Sequence, residues 1–311
     1  MKGEAFNSDR RGFLKFAAAM AGGCWLWSGG MARAGGSPIT KTIPSSGESL
    51  PVIGMGTSRT FDAVGNPAMM ANLGAVLEAF FQHGGRLIDS SPMYGSAEQA
   101  IGILLHGIKQ PDALFAATKV WTDGRESGRQ QMAYSRQLWG LERFDLMQIH
   151  NLRDWRIHLE TLNEMKSQGR IRYLGITTSH GRSHAELASV LERHPFDFVQ
   201  LSYNIEEREV ERVLLPLALE KGIAVIVNRP FARGSLFRKS GDKPLPEWAQ
   251  AIGCSSWGQF FLKYAISHPA VTCAIPATAK THHMVDNMGA GYGALPDSEM
   301  RARMAAYYSS L

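Results

Sequence analysis

Leu87-Ile88-Asp89-Ser90-Ser91-Pro92-Met93-Tyr94-Gly95 is the stretch on which the fold turns. It opens apolar and gives way at once to an acid, two serines and a proline. That is a short β-strand stopped by a turn, with Asp89 at its C-terminal end and Tyr94 just beyond it. The same pattern recurs downstream. Ala117-Thr118-Lys119-Val120-Trp121 carries a strand to Lys119, and Leu146-Met147-Gln148-Ile149-His150 carries another to His150. Four polar or ionisable side chains therefore sit at or just past strand C-termini. In a barrel of parallel strands those ends open on one mouth, where such barrels place their chemistry.

Working outward from these motifs, apolar strand-like runs fall at residues 52–55, 87–89, 113–119, 146–150, 171–176, 198–201, 224–227 and 272–275. Several are continuous apolar runs, as expected of strands buried on both faces. Helical patterns separate them at 68–82, 97–109, 128–139, 155–168, 184–193, 207–221 and 257–268. Gly84, Gly140, Gly169 and Gly222 stand where helices close. Eight β units with intervening helices predict an α/β fold, a (β/α)8 TIM barrel. Ahead of it, Lys41-Thr42-Ile43-Pro44 and Leu50-Pro51-Val52-Ile53 flank a Ser/Gly turn and predict an N-terminal β-hairpin. A proline in each arm suits an edge or lid position. Residues 230–248 read as a long loop at the mouth.

The chain has 311 residues and a formal net charge of +5, enough for one large core. Five basic and two acidic residues fall within residues 1–34, which leaves the body close to neutral. A near-neutral body lacks the clustered cation density of nucleic-acid binding. Ser8-Asp9-Arg10-Arg11-Gly12-Phe13-Leu14-Lys15, a mildly apolar run over 16–30 and Ala32-Arg33-Ala34 come in the order of an export leader with a cleavage site. The paired Arg10-Arg11 resembles the twin-arginine signal. It implies the export machinery as a partner and a periplasmic or otherwise exported destination. The apolar run is too short and Gly-rich for a stable membrane span after processing. The expected organisation is therefore a signal peptide over 1–34 and a barrel over 35–311. Cys24, Cys254 and Cys273 form no disulfide framework, although Cys254 and Cys273 would be able to pair in an oxidising compartment. No metal site is expected, because the adjacent His282-His283 has no His-x-His partner.

The four strand-end residues suit proton delivery to a carbonyl. Tyrosine alone is a poor acid near neutrality. An ammonium beside it stabilises the phenolate and lowers its pKa. Tyr94 is then the proton donor, Lys119 its tuner, Asp89 the lysine's anchor, and His150 the group that orients the carbonyl.

Taken together, Ile88–Gly95, Ala117–Trp121, Gln148-Ile149-His150-Asn151 and Ile53-Gly54-Met55-Gly56-Thr57 resemble the motifs of the aldo-keto reductases over residues 39–296. The resemblance implies an NADP-dependent oxidoreductase that interconverts an aldehyde or ketone and an alcohol, a small-molecule partner. It implies NADPH in preference to NADH, bound without a Gly-x-Gly-x-x-Gly loop. Cofactor contacts carried over by the resemblance are Gly56, Thr57, Asp89, Thr177, Thr178 and Gln200, with Asn228 and Arg229 on strand seven. Thr278, Lys280, His283, Asp286 and Asn287 match the adenosine end. Trp121, with Trp155, is a candidate pocket wall. The chain also departs from the family. Thr177-Thr178 replaces a Ser-Asn pair, and Asn228 stands where a tyrosine stacks on the nicotinamide. Arg229 either reaches the pyrophosphate or pairs at the rim. Ala277 and His283 replace a lysine and an arginine. These departures leave a second reading open: a nicotinamide-binding sensor or structural subunit with little turnover.

Overall fold

The computed structural model describes residues 36–108 and 114–311. The expected leader lies outside the described residues. The chain enters through an antiparallel hairpin, β1 (Thr40–Thr42) and β2 (Ser49–Pro51). Eight parallel strands follow, each bonded to the next: β3 (Met55–Gly56), β4 (Leu87–Asp89), β5 (Phe115–Val120), β6 (Phe144–Ile149), β7 (Ile171–Thr177), β8 (Phe198–Ser202), β9 (Ala224–Asn228) and β10 (Val271–Ala274). The first and last close on each other. Gly54 N donates to Ala274 O at 2.9 Å, Ala274 N to Val52 O at 2.9 Å, and Gly56 N to Pro276 O at 3.1 Å. Closure is tight enough to need glycine. A Cβ on Gly56 would stand 2.8 Å from Ile275 O, and one on Gly54 2.9 Å from Leu87 O.

The helices around the barrel are α1 (Pro67–Gln82), α2 (Ala97–Gly107), α3 (Arg125–Trp139), α4 (Trp155–Ser167), α5 (His184–Arg193), α6 (Leu214–Glu220), α7 (Ser235–Ser240), α8 (Trp257–Ile266), α9 (Thr281–Gly289) and α10 (Ser298–Ser310). Their starts follow capping chemistry. Asn66 accepts from Met69 N and precedes Pro67. Ser256 accepts from Gln259 N, and Asp297 from Met300 N. The pattern over 207–221 predicts one helix, but the structure breaks it into a 3-10 turn, Glu209–Arg212, and α6. Pro216 explains the break. It has no N–H to offer the carbonyl four residues back, and its ring crowds that carbonyl, so the helix restarts with proline in its first turn. The expected loop at 230–248 contains a 3-10 turn, Ala232–Gly234, and α7, and runs into a second 3-10 turn, Glu247–Ile252. The helix α10 was not anticipated.

Alternation along each strand decides what fills the barrel. Leu87, Phe115, Leu146, Tyr173, Phe198 and Ala224 point inward near the strand starts and form one buried cluster. Phe115 stacks on Tyr173 with centroids 5.7 Å apart, and Tyr173 meets Phe198 edge-on at 5.4 Å. Ile43 and Leu50 from the hairpin join this cluster and are fully buried. The Tyr173 hydroxyl donates to Ser46 Oγ at 2.7 Å, and Arg86 to Ser49 O at 2.9 Å. The hairpin therefore plugs the base of the barrel, opposite the mouth. Two or four residues further along these strands the inward positions turn polar: Asp89, Lys119, Gln148, Gln200 and Asn228. This gradient from an apolar base to a polar top builds the site.

Candidate active site

Asp89 is the centre of the polar layer and is 2% exposed. Its Oδ2 accepts from Lys119 Nζ at 2.6 Å. Its Oδ1 accepts from Gln148 Nε2 at 2.8 Å and from Gln200 Nε2 at 3.0 Å. Lys119, fully buried on β5, also donates to Ser90 O at 2.7 Å. A buried ion pair persists only where its remaining hydrogen-bonding capacity is met, and the two glutamines meet it. Gln148 has room because β7 carries Gly175 beside it, where a Cβ would stand 2.8 Å from Gln148 Cγ. Gln148 was not singled out by sequence, although it lies two residues before His150 and so on the same strand face.

Tyr94 lies just past β4, half-buried at the mouth. Its ring centroid is 5.3 Å from Lys119 Nζ. Sequence reasoning expects Lys119 to lower the tyrosine pKa. Lys119 does pull it down, but burial pushes harder the other way, and Asp89 adds to the rise. The net direction is upward, so Tyr94 is held as a neutral phenol with a proton to give.

His150 follows β6 and is 5% exposed. Burial, aided by the charge on Lys119, pushes its imidazole down to about 3. The ring is therefore neutral near pH 7 and works as a hydrogen-bonding group. Its Nδ1 lies 3.0 Å from Ser91 Oγ, which already accepts from Met93 N at 3.4 Å. With Ser91 O–H assigned as the donor to Nδ1, the ring proton resides on Nε2. The Tyr94 and His150 rings meet edge-on with centroids 6.2 Å apart.

Both rings line a mouth cavity of about 1240 Å³. Gly56 and Thr57 line it from β3 and its loop, and Thr57 Oγ1 donates to Asp89 O at 3.0 Å. Thr177 and Thr178 line it at the end of β7, with Thr177 Oγ1 accepting from Asn151 N. Gln200 lines it, its Nε2 donating to Asp89 and Gln148 and its Oε1 accepting from Asn228 Nδ2 at 3.4 Å, which leaves Oε1 a second lone pair. Asn228 donates in addition to Thr178 O at 3.0 Å. Beside it, Arg229 reaches Glu207 at 3.5 Å, the rim pairing that sequence left as one alternative, and still lines the cavity.

Thr278, His283, Asp286 and Asn287 line the far end. Asp286 is held by Ser256 Oγ at 2.7 Å and Gln259 Nε2 at 2.9 Å. Burial, then the nearby His282 and Lys280, lowers the His283 pKa. Lys280 is not among the lining residues: it caps α9, its backbone N donating to Thr278 Oγ1 at 3.0 Å. Trp121 is also off the cavity wall. Arg153 lies over its ring at 4.9 Å, and the ring stands 6.4 Å from His150. Trp155 packs instead against His194. Cys254 and Cys273 are both free thiols.

Glu98 of α2 was missed as well. It is 2% exposed and accepts from Thr118 Oγ1 at 2.5 Å, Ser135 Oγ at 2.7 Å and Trp139 Nε1 at 3.4 Å. It locks β5, next to Lys119, onto α2 and α3. Burial raises its pKa against those three bonds.

A buried carboxylate–ammonium pair beneath a phenol, with a neutral imidazole beside it at a barrel mouth, is the setting in which the comparisons fall. A model of the aldo/keto reductase family matches residues 52–307. The chain belongs to that family. An aldo-keto reductase of Strobilurus tenacellus is 23% identical over 267 residues, 73% of this chain and 78% of that protein. The NADH-specific methylglyoxal reductase of Escherichia coli (strain K12) is 27% identical over 237 residues, 63% of this chain and 69% of that protein. Among solved structures, an aldo-keto reductase from Klebsiella pneumoniae in complex with NADPH superposes with a TM-score of 0.71 at 24% identity, covering 87% of this chain and 95% of that one. The glycerol dehydrogenase of Gluconobacter oxydans gives 0.72 at 20% identity, covering 87% and 95%. Membership and the shared barrel establish an oxidoreductase of this family.

Proposed function

We propose that the chain is an NADP-dependent reductase that interconverts a small aldehyde or ketone and its alcohol. The observation that carries this reading is that Tyr94, neutral His150 and Asp89 line one cavity, with Lys119 buried beneath and paired to Asp89. The nicotinamide supplies or accepts hydride when bound. Tyr94 Oη delivers the proton to the carbonyl oxygen. His150 Nε2–H donates to the same oxygen and fixes its position, and pre-aimed donors of this kind stabilise developing negative charge. Lys119 stabilises the tyrosinate left behind, and Asp89 with its two glutamines holds Lys119 in place. In the oxidation direction the same atoms run in reverse.

The residues present fit a dinucleotide. Thr178 Oγ1 and Arg229 Nε are buried without a hydrogen-bond partner, and buried polar atoms of this kind ask for one. Both face the cavity's lining segments. Thr177, Thr178 and Gln200 would hold the nicotinamide end. Arg229 would hold the phosphates, and Thr278, His283, Asp286 and Asn287 the adenosine. Several structural relatives hold NADP or NADPH, whereas one sequence relative is named as NADH-specific. NADPH is the cofactor we favour, with Thr278 and His283 as the ribose-phosphate contacts.

Fluorescence titration of the purified protein with NADPH and NADH, followed by a carbonyl panel, tests this. Tighter NADPH binding with carbonyl turnover supports it. Cofactor binding with no turnover on any carbonyl supports the sensor reading instead, and no binding of either cofactor to cofactor-free protein defeats both. We further propose that the chain is exported by the twin-arginine route on the strength of Arg10-Arg11. Cell fractionation of an Arg10→Lys/Arg11→Lys double variant checks this, and unchanged export would defeat it.

A further inference from the structure

Positive charge gathers around the mouth. Arg59, Arg182, Arg229 and Arg233 all line the cavity, from the loops after β3, β7 and β9. Among the described residues only Arg229 of the four has a carboxylate within ion-pair distance. Arg59, Arg182 and Arg233 are exposed. The four guanidiniums act on one another. After burial, the charges on Arg229, Arg59 and Arg182 hold Arg233 below the ordinary arginine value. After burial again, Arg229, Arg233 and Arg182 lower the His180 imidazole. The nearby acids offset this field only in part: Asp89 is paired with Lys119 and Glu207 with Arg229, while Asp286 and Asp62 keep their charge, hydrogen-bonded to neutral Ser256 and Gln259 and to Ser96.

Placement separates Arg182 from the dinucleotide's adenosine end, whereas Arg59 follows β3, which closes on β10. The adenosine-end residues follow β10, which is separated from β7 by β9 and β8. A pyrophosphate crossing the loop after β9 meets Arg229 and Arg233. Arg59 directly follows Ser58, which lines the cavity with Tyr94. Arg182 sits on a loop tied to the reacting side. Ser179 Oγ donates to Asn151 Oδ1 at 3.3 Å, next to His150, and His180 N donates to Ser202 Oγ at 3.1 Å. Arg59 and Arg182 therefore line the cavity that Tyr94 and His150 also line.

We propose that this mouth selects carbonyl substrates bearing an anionic group, a carboxylate or a phosphate, held by Arg182 and Arg59 while the carbonyl lies between Tyr94 and His150. The proposal rests on the reductase reading above. Guanidinium forks match the oxygens of either anion in a bidentate geometry that a neutral group does not reproduce. The unbalanced field also draws anions to the mouth and weakens as salt rises.

The test uses charge-matched pairs: 4-formylbenzoate against its methyl ester for a carboxylate, and glyceraldehyde 3-phosphate against glyceraldehyde for a phosphate. Calorimetry on the full chain saturated with NADP+ reads binding without turnover, and NADPH oxidation reads kcat/KM. For at least one pair, the anion is expected to bind roughly ten-fold or more tightly than its neutral partner, with a parallel ratio in kcat/KM. The pair that shows the preference identifies the anion. Raising salt shrinks the ratio, and Arg59→Ala/Arg182→Ala brings it close to one. Equal binding within both wild-type pairs overturns the proposal, and so does a preference that survives the double variant. Either result leaves the reductase reading standing if NADPH is oxidised. Charge-selective binding with no reduction of any aldehyde sinks the reductase reading, and the assignment of the anion to a substrate falls with it.

Discussion

Lowering the pH from 7 to 5 should destabilise this protein through His150 by an amount the structure fixes. The imidazole is buried, its Nδ1 accepts from Ser91, and Lys119 opposes a positive charge on it. Its pKa falls from 6.5 in the unfolded chain to about 3 in the fold. The folded value is the lower one, so the unfolded chain binds more protons throughout that window. Stability is therefore full above 6.5 and is lost as pH falls towards 3. Between pH 7 and 5 the unfolded imidazole goes from mostly neutral to almost wholly charged while the folded one stays neutral, which amounts to about 2 kcal/mol. The figure is insensitive to the folded value, because any folded pKa well below 5 leaves the ring neutral at both pH values. Urea unfolding of wild type and His150→Gln at the two pH values isolates it, since all other titrating groups are common to both proteins. Wild type should lose about 2 kcal/mol more than the variant on acidification. Equal losses would mean that His150 takes a proton in the fold. It would then be an imidazolium in the site, and the hydrogen-bonding role argued for Nε2–H would fail with it.

Four further outcomes follow from the same geometry. Tyr94→Phe removes the proton donor and should lower kcat for carbonyl reduction roughly 10²- to 10⁴-fold, with NADPH binding by fluorescence retained; a smaller loss would move the proton to another group. Ser91→Ala frees His150 Nδ1 to take the ring proton, so Nε2–H is no longer assured, and kcat/KM should fall about ten-fold, near the worth of one hydrogen bond. Lys119→Met strips Asp89 of its counter-charge and should cost roughly 3–5 kcal/mol in urea unfolding. Because Lys119 pulls the Tyr94 pKa down, any surviving reductase activity should also hold to higher pH on its alkaline limb. Gly102→Ala places a Cβ against the Leu138 carbonyl oxygen, where α2 crosses α3. Backbone there has to move, so thermal unfolding should drop by several degrees or the protein should fail to fold, and an unchanged Tm would mean the helices are not so close.

What sequence revealed and what it concealed divide along one physical line. Asp89, Lys119 and His150 were legible because each depends on its own strand: an apolar run, an alternation and a stop. The strand runs at 87–89, 171–176, 198–201 and 224–227 lie within a residue or two of β4, β7, β8 and β9 for the same reason. Gln148 obeys the same alternation and could have been read from its spacing to His150. Its partner is not local, since the space it occupies depends on Gly175 across the sheet. Glu98 was not legible at all. On α2 it passes for a surface acid near a helix start, and its three donors lie 20, 37 and 41 residues away, on β5 and α3. The tuning of Tyr94 shows why such partners matter. Sequence pairs it with a lysine and predicts a lowered pKa, while the folded chain adds burial, which outweighs the lysine. The arginines at the mouth are the extreme case. Arg59 and Arg182 are 123 positions apart by number, each an ordinary exposed loop cation, and only barrel closure brings them to one cavity. Family membership is carried here by short motifs that strand ends repeat, so it is legible at low identity to relatives. Substrate selection depends on loops that meet only in three dimensions, so the rim arginines, more than the motifs, are where this chain's own chemistry has to be sought.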